Sequence, residues 1–310
     1  MVVDICIIGG GPAGSNLARL LSPNFKVMII EKRNMFEDNN VKNKVCGGLL
    51  APDAQHMLAK FNLSLPKDVL VKDQVFAVKS IDLDNDIERR YQKHYFNMDR
   101  EKFDRWLFSL IPKTVEKRVD SLCKSIEKVE DGYIVRFKNE EVKAKYIVGA
   151  DGANSFVRRK LITPNENPKL YTSIQEWYEN TSNIKELFAI FDEELTDFYS
   201  WIIPKNKYII LGGAFLKENV NQKFLKLKEK LEKRGIIFGE KVKSEGTYIE
   251  RPLNLSQINF GKENIFLIGE ASGSISPSSA EGISYGLKTS EYLAKVLNSG
   301  GNIKEYEKNV

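Results

Sequence analysis

The sequence predicts a mixed α/β protein in which one unit is built from both ends and the middle of the chain, with a β-rich segment inserted. Three observations predict it. The opening run VVDICIIGGGPAGSNLARLL reads as an apolar strand, a glycine turn and a helix. Two more strand-to-glycine junctions occur, YIVGADG in the middle and IFLIGEASG near the end. Between them, from about residue 164 to 251, short β-patterned runs dominate: YTSIQEWYE, LFAIFDE, DFYSWIIP, YIILGGAF and GTYIERPL.

The first junction carries Gly9-x-Gly11-x-x-Gly14. Gly9 permits the tight turn, Gly11 lets backbone approach a pyrophosphate, and Gly14 lets the helix pack close to the strand. Pro12 and Ala13 complete this cofactor-binding run at the helix start, where N–H groups and positive potential face phosphates. The next strand, FKVMIIEK, ends in Glu31, with Lys32 beside it; a carboxylate there can accept both hydroxyls of an adenosine ribose. A glycine triplet between strand and helix, followed by such an acid, indicates a dinucleotide without saying which.

Bulk properties exclude several classes. A chain of 310 residues, 42% hydrophobic and 29% charged, can bury a full core and is not disordered. Its net charge of +5 comes from 47 basic and 42 acidic residues, with lysines scattered along the chain, so no nucleic-acid partner is expected. Cys6, Cys46 and Cys123 form no CxxC pair, and His56 and His94 lie far apart, so no metal site is expected. No apolar run is long enough to span a bilayer, and the N-terminus enters a strand without a leader. The expected location is cytoplasmic, at most resting on a membrane surface.

The other two junctions select the dinucleotide. YIVGADG runs through Asp151 into a basic helix start; IFLIGEASG carries Gly269 and Glu270 and leads, past Glu281, Gly282 and Ile283, into a long helix. The N–H groups of that helix can polarise a carbonyl edge. A nicotinamide dehydrogenase needs neither element, whereas FAD does, because its ribityl chain and isoalloxazine extend far beyond the first βαβ unit.

At these motifs the chain resembles the para-hydroxybenzoate hydroxylase type of flavoprotein, whose FAD motifs (glycine fingerprint, DG and GD) occur here in the same order. The resemblance implies an FAD-binding Rossmann-like (GR2-type) domain with an inserted antiparallel β-sheet substrate domain. It also implies that Arg100, in NMDREKFDRWL, belongs to an arginine-bearing helix near the flavin. The third motif departs from the family in carrying Glu270 where aspartate is usual.

Among branches of that family, a histidine after the third motif would mark an aromatic hydroxylase, and Gly269-Glu270-Ala271-Ser272-Gly273 has none. Tyr199-Ser200-Trp201-Ile202-Ile203-Pro204 comes close to the WxWxIP of flavin halogenases, with Lys44 as the lysine that they need, but halogenases are generally longer. The chain is most similar to geranylgeranyl reductases. Lys44-Val45-Cys46-Gly47-Gly48 looks like their cysteine motif, and Tyr199-x-Trp201-x-Ile203-Pro204, followed by Gly212 and Gly213, like their substrate-lobe motif. Pro277 with Glu281-Gly282-Ile283 looks like their last motif.

This resemblance implies reduction of a carbon–carbon double bond in an isoprenoid by hydride transfer from reduced FAD. NAD(P)H or a ferredoxin would be the electron donor. Cys46 has two readings, a compact apolar filler or a thiol acting as proton donor or gate beside the isoalloxazine, and the second is the expectation. Gly47 and Gly48 would let its loop approach the ring. Tyr199 and Trp201 would flank the isoprenoid, and Tyr199 or Glu281 are alternative proton sources. Cys6 and Cys123 read as filler. A monooxygenase or halogenase, or a non-catalytic FAD module for electron transfer or redox sensing, are the other classes.

The motif positions make the FAD domain discontinuous, residues 1–72, 96–163 and 252–310, with the substrate domain at 73–95 and 164–251. A hairpin is expected around Asp84-Asn85-Asp86, and a meander turning at Asp131-Gly132. Asn219 to Arg234 reads as a helix with Val220, Phe224, Leu227 and Leu231 on one stripe. It either packs on the sheet with a solvated outer face or makes a peripheral contact with anionic lipid. The chain ends at EYEKNV soon after the last FAD helix, so a substrate pocket that is smaller, more open or completed by a partner is expected.

Overall fold

The computed structural model describes residues 1–37, 44–162 and 166–310. They fall in two compact units, Met1–Asn43 with Glu101–Lys169 and Glu250–Val310, and Lys44–Arg100 with Leu170–Ile249. The boundary expected at 163–164 lies outside the described residues.

The first unit is built on a largely parallel sheet. Its strands stand in the order Gly261–Lys262, Ile265–Leu267, Glu140–Gly149, Val2–Ile8, Val27–Ile30 and Glu116–Arg118, and all but the first pair are parallel. The hairpin Cys123–Val129 with Gly132–Phe137, turning at the expected Asp131-Gly132, extends from Glu140–Gly149. Continuous apolar runs suit strands covered on both faces. Side chains alternate accordingly. Ile5, Ile7, Val148 and Phe266 enter one core with Leu17, Leu293 and Leu297; Cys6, Ile8, Met28 and Ile147 enter the other with Tyr133 and Val157. Each fully buried Ile or Leu contributes about 1.5–3 kcal/mol. Cys6 and Cys123 are filler in the second core. Burial, first of all, raises both thiol pKa values, that of Cys123 to about 12.

The second unit is an eight-stranded sheet. Its order is Lys241–Arg251, Lys169–Glu179, Tyr208–Phe215, Thr196–Lys205, Leu187–Asp192, Val75–Asp82, Ile87–Asn97 and Leu49–Leu50. The expected hairpin turns at Asp84-Asn85-Asp86, its arms pairing from Asp82↔Ile87 onward, and its first arm joins Leu187–Asp192 in parallel. The helix is Val220–Lys233; Phe224, Leu227 and Leu231 are buried against Ile202, Leu211 and Phe215. Its outer lysines pair with acids at the end of a strand and just beyond it, Lys230 with Asp192 at 2.5 Å and Lys226 with Glu194. Packing on the sheet is therefore the reading that the contacts bear out.

The segment Lys44 to Lys72, which the motif positions put with the dinucleotide-binding part, groups with this second unit. Backbone pairing decides it: Leu49 and Leu50 pair with Asn97 and Phe96, and Leu70 bridges Met98.

In the first unit one buried ion pair fastens the middle junction. Arg158 donates through Nη1 to Glu250 Oε2 at 2.9 Å and to the Ala271 carbonyl at 3.1 Å, and through Nη2 to the Ala153 carbonyl at 3.1 Å and to Glu250 Oε1. Both side chains are buried, with relative exposures of 5% and 4%. Replacing Arg158→Met would strand a buried carboxylate, which costs about 3–5 kcal/mol. Urea unfolding of the variant should show that loss as a lower midpoint with an unchanged slope.

Candidate active site

The parallel register brings three sequence motifs to one edge of the first sheet. Ile8 stands opposite Ile30 and Gly149, and Gly149 opposite Leu267, so these strands end level. The segments just beyond the strands, Gly9–Gly14, Glu31, Asp151 and Gly269–Glu270, gather at the carboxyl ends, where parallel α/β sheets bind ligands. Gly9 has φ +110°, and a Cβ on it would meet the Ala150 carbonyl oxygen at 2.4 Å. A Cβ on Gly14 would fall 2.0 Å from the Gly9 carbonyl oxygen.

Two helices of this unit begin with no side-chain cap. Gly11 is the N-cap of Pro12–Leu20, with open space where its Cβ would be; Gly282 is the N-cap of Ile283–Asn298. Uncapped N–H groups at glycine N-termini fit phosphate and carbonyl oxygens. Ala13 packs against Gly286 at the crossing of these helices, and Asn16 Nδ2 donates to Ser290 Oγ at 2.8 Å. Gly269 has φ +58° and donates its N–H to Thr289 Oγ1 at 2.9 Å. The Glu281 carbonyl accepts from Ser276 N–H at 3.1 Å.

The acids at this edge are already organised. Glu31 accepts the Gly10 N–H through Oε2 at 2.6 Å, and through Oε1 the Arg33 N–H at 2.9 Å and Arg33 Nε at 3.0 Å. Arg33 also donates to Asp104 at 2.8 Å. Burial works to lower the Arg33 pKa, but Asp104 and Glu31 together hold it above its ordinary value. Arg33 Nη2 also donates to Oε2, at 3.4 Å, so both oxygens of Glu31 already accept hydrogen bonds. Lys32 is exposed. Asp151 accepts from Ser155 Oγ at 2.6 Å, from Phe156 N–H at 2.7 Å and from Val157 N–H at 3.2 Å, so it caps the helix Phe156–Leu161. Burial raises its pKa against those hydrogen bonds.

In the second unit the cysteine loop and the tryptophan strand meet. A Cβ on Gly47 would lie 2.3 Å from Ile203 Cδ1, so the loop rests directly on the strand Thr196–Lys205. Gly48, at φ +64°, donates its N–H to Cys46 Sγ at 3.4 Å, and its carbonyl accepts from Met98 N–H at 2.8 Å. Lys205, buried below, donates from Nζ to the Gly48 carbonyl at 3.1 Å, the Met98 carbonyl at 2.8 Å and Asn97 Oδ1. Asn97 Nδ2 in turn donates to the Pro204 carbonyl at 2.7 Å and the Asp73 carbonyl at 2.8 Å. Burial drives the Lys205 pKa down to about 7, with Cys46 and Asp99 pulling it back up.

Tyr199, Trp201, Ile203 and Lys205 alternate onto one side of their strand. The rings of Tyr199 and Trp201 are 5.4 Å apart, and Tyr199 also meets Phe191 at 6.3 Å. Trp201 is buried and Tyr199 half-buried. Arg100 begins the helix Arg100–Ser109 and is half-buried. An open cavity of about 890 Å³ in this unit, lined by Phe76, Ile184 and Phe188 among others, holds none of the residues singled out from the sequence.

Comparison with known proteins now fixes the family. Residues 4–178 match the family model described as lycopene cyclase protein. Over 298 residues, 95% of this chain and 81% of the relative, the sequence is 44% identical to protein CbrA of Escherichia coli O9:H4 strain HS. The chain belongs to the family of CbrA and the lycopene cyclase proteins. Its fold is similar to that of a geranylgeranyl bacteriochlorophyll reductase-like protein from Thermoplasma acidophilum, at TM-score 0.81 and 20% identity over 99% of this chain and 82% of that one. It is also similar to the flavin-dependent brominase Bmp2, at TM-score 0.77 and 18% identity over 99% of this chain and 82% of that one. The chain thus has the fold of these proteins, a largely parallel sheet in one unit and a mostly antiparallel sheet in the other. No described helix is long and apolar enough to cross a membrane.

Sequence reasoning brought Cys46, Gly47, Tyr199 and Trp201 to the fore and missed Lys205, Asn97, Arg33 and Asp104. Lys205 carried a signal: it is the next same-side position after Trp201 and Ile203, and a charge on an apolar strand face is buried for a reason. Its depressed pKa has a consequence for stability. Unfolding restores the ordinary pKa of 10.5, so the unfolded chain binds more protons between about pH 7 and 10. Stability should therefore rise with pH across that window, on the order of 1 kcal/mol per pH unit. Denaturation of wild type and Lys205→Met at pH 7 and pH 9.5 should show that rise in the wild type alone.

Proposed function

We propose that this protein is an FAD-dependent oxidoreductase that reduces a carbon–carbon double bond of an isoprenoid substrate, with NAD(P)H or a ferredoxin as electron donor. The observation that carries the reading is the Cys46–Gly48 loop lying on the strand of Tyr199, Trp201 and Ile203. Two motifs far apart in sequence form one constellation of thiol, aromatic wall and buried lysine. Likeness in fold to a reductase-like protein supports the same choice.

Gly11, Ala13 and Gly14 would offer the pyrophosphate their N–H groups, with Gly9, whose own N–H goes to the Ile30 carbonyl, making the turn and Pro12 starting the helix; Glu31 would hold the adenosine ribose, with Lys32 at its margin. Asp151, Gly269 and Glu270 would hold the middle of the cofactor, and Gly282 and Ile283 its flavin carbonyl edge. Bound and reduced, FAD would supply the hydride. An isolated alkene is a poor electrophile, so the chain has to exclude water, align the alkene and deliver a proton to the carbon that the hydride does not take.

Tyr199 and Trp201 serve as the wall that orients the isoprenoid. Cys46 is the proton donor: its S–H bond breaks as the new C–H bond forms, leaving a thiolate. A thiolate formed there would hold Lys205 in its charged form. Gly47 and Gly48 keep the loop slim, and Tyr199 is the secondary donor.

Cys46→Ala should retain bound FAD and lose about 10²-fold or more in turnover. Absorbance of the purified variant and a single-turnover assay check the two parts. Mass spectrometry of lipids and quinones from a deletion strain should show product species that have gained an unsaturation. Unchanged turnover in Cys46→Ala, or a product that gains oxygen instead of two hydrogens, would contradict the reading.

A further inference from the structure

Three buried polar atoms of the second unit have no hydrogen-bond partner among the described residues: Ser173 Oγ, Gln175 Oε1 and Trp201 Nε1. The residues are 0%, 2% and 6% exposed. Leaving such an atom unpaired costs about 1–3 kcal/mol, so three together call for a partner.

Their placement is ordered. Gln175 stands opposite Gly212, and Gly212 opposite Trp201, in one row across three adjacent strands. Ser173 lies two positions along from Gln175 and shares its side of the sheet. Gly212 has no side chain, and the indole fills its place: a Cβ there would fall 2.3 Å from Trp201 Nε1. The indole N–H thus reaches one strand across, and the strand of Gln175 is the next, about 4.8 Å further on. Tyr199, Ile203 and Ala214 give the surroundings an apolar character.

The chemistry of the three atoms narrows the ligand. Trp201 Nε1 only donates, Gln175 Oε1 only accepts, and Ser173 Oγ does both. A carbonyl would serve Trp201 and leave Gln175 unpaired, and an ammonium would do the reverse. A phosphate would place negative charge against the Gln175 oxygen, while the Lys205 protons are held by Gly48, Met98 and Asn97. A hydroxyl meets both demands, accepting from the indole and donating to the amide oxygen.

We infer that this row is a binding site for the hydroxyl group of an alcohol or phenol carried on an apolar body. The inference rests on reading this face as the substrate wall, and it sets the form of the substrate as free alcohol, neither hydrocarbon nor diphosphate.

The test is equilibrium binding to the FAD-loaded protein with matched ligand pairs: geranylgeraniol and its hydrocarbon counterpart, then 2-naphthol and naphthalene, with geranylgeranyl diphosphate as a fifth ligand. The alcohol should bind about 10-fold tighter than its hydrocarbon. Gln175→Leu should remove most of that preference while changing hydrocarbon affinity less than about 2-fold, and Trp201→Phe should remove most of it as well. Ser173→Ala, a small deletion, gives the same direction if the larger replacements fold poorly. Equal binding within both pairs, a preference that survives the substitutions, or tighter binding of the diphosphate would overturn the site. A preference confined to naphthol would uphold the hydroxyl site and overturn the isoprenoid reading. Loss of the preference together with isoprenoid reduction in the turnover assay would overturn the site alone.

Discussion

The level ending of the parallel strands in the first unit is the constraint on which the functional reading depends. Hydrogen bonding sets Ile8 beside Ile30 and Gly149, and Gly149 beside Leu267. A shift by one residue would exchange the two cores, turning Ile5 and Ile7 to the side where Cys6 and Ile8 belong. Burial on both faces therefore locks the register, and the register fixes where the glycine turn, Glu31, Asp151 and Gly269 emerge. Motifs from the start, the middle and the end of the chain become neighbours because the apolar runs before them leave no other pairing. The turns add their own requirement, since Gly9 and Gly14 approach backbone too closely for any side chain.

A different device shapes the second unit. There a lysine is buried under a glycine loop, and its three protons are matched by two carbonyls and an amide oxygen. A buried ammonium without a carboxylate contact is costly, and its pKa falls accordingly. The protein keeps it where it fixes the Gly48 carbonyl, and with it the path of the chain past Cys46. The unpaired atoms of Ser173, Gln175 and Trp201 lie on the same side of the sheet and are a second local departure from a satisfied apolar core. Such departures concentrate where a protein binds something.

Much of this was legible in the residues. Gly9-x-Gly11-x-x-Gly14 with Glu31, and the two later glycine junctions, were readable because each combines an apolar run with a residue type that backbone geometry demands. Pairing across long separations was not. Nothing local to Lys44–Lys72 says that Leu49 and Leu50 will pair with Asn97 and Phe96, so the motif positions drew that segment into the wrong neighbourhood. The roles of Arg33 and Arg158 were equally hidden, because Asp104 and Glu250 become their partners only after folding. Asp151 was found as a motif residue, yet its caps on Phe156 and Val157 depend on how the next helix begins.

The central claim is that the convergent edge of the first sheet holds one FAD. Calorimetric titration of flavin-stripped protein with FAD tests it most directly. Saturable binding at one FAD per chain is predicted, weakened strongly by Gly14→Val, whose side chain cannot fit against Gly9. A wild-type chain that shows no saturable uptake of FAD would contradict it.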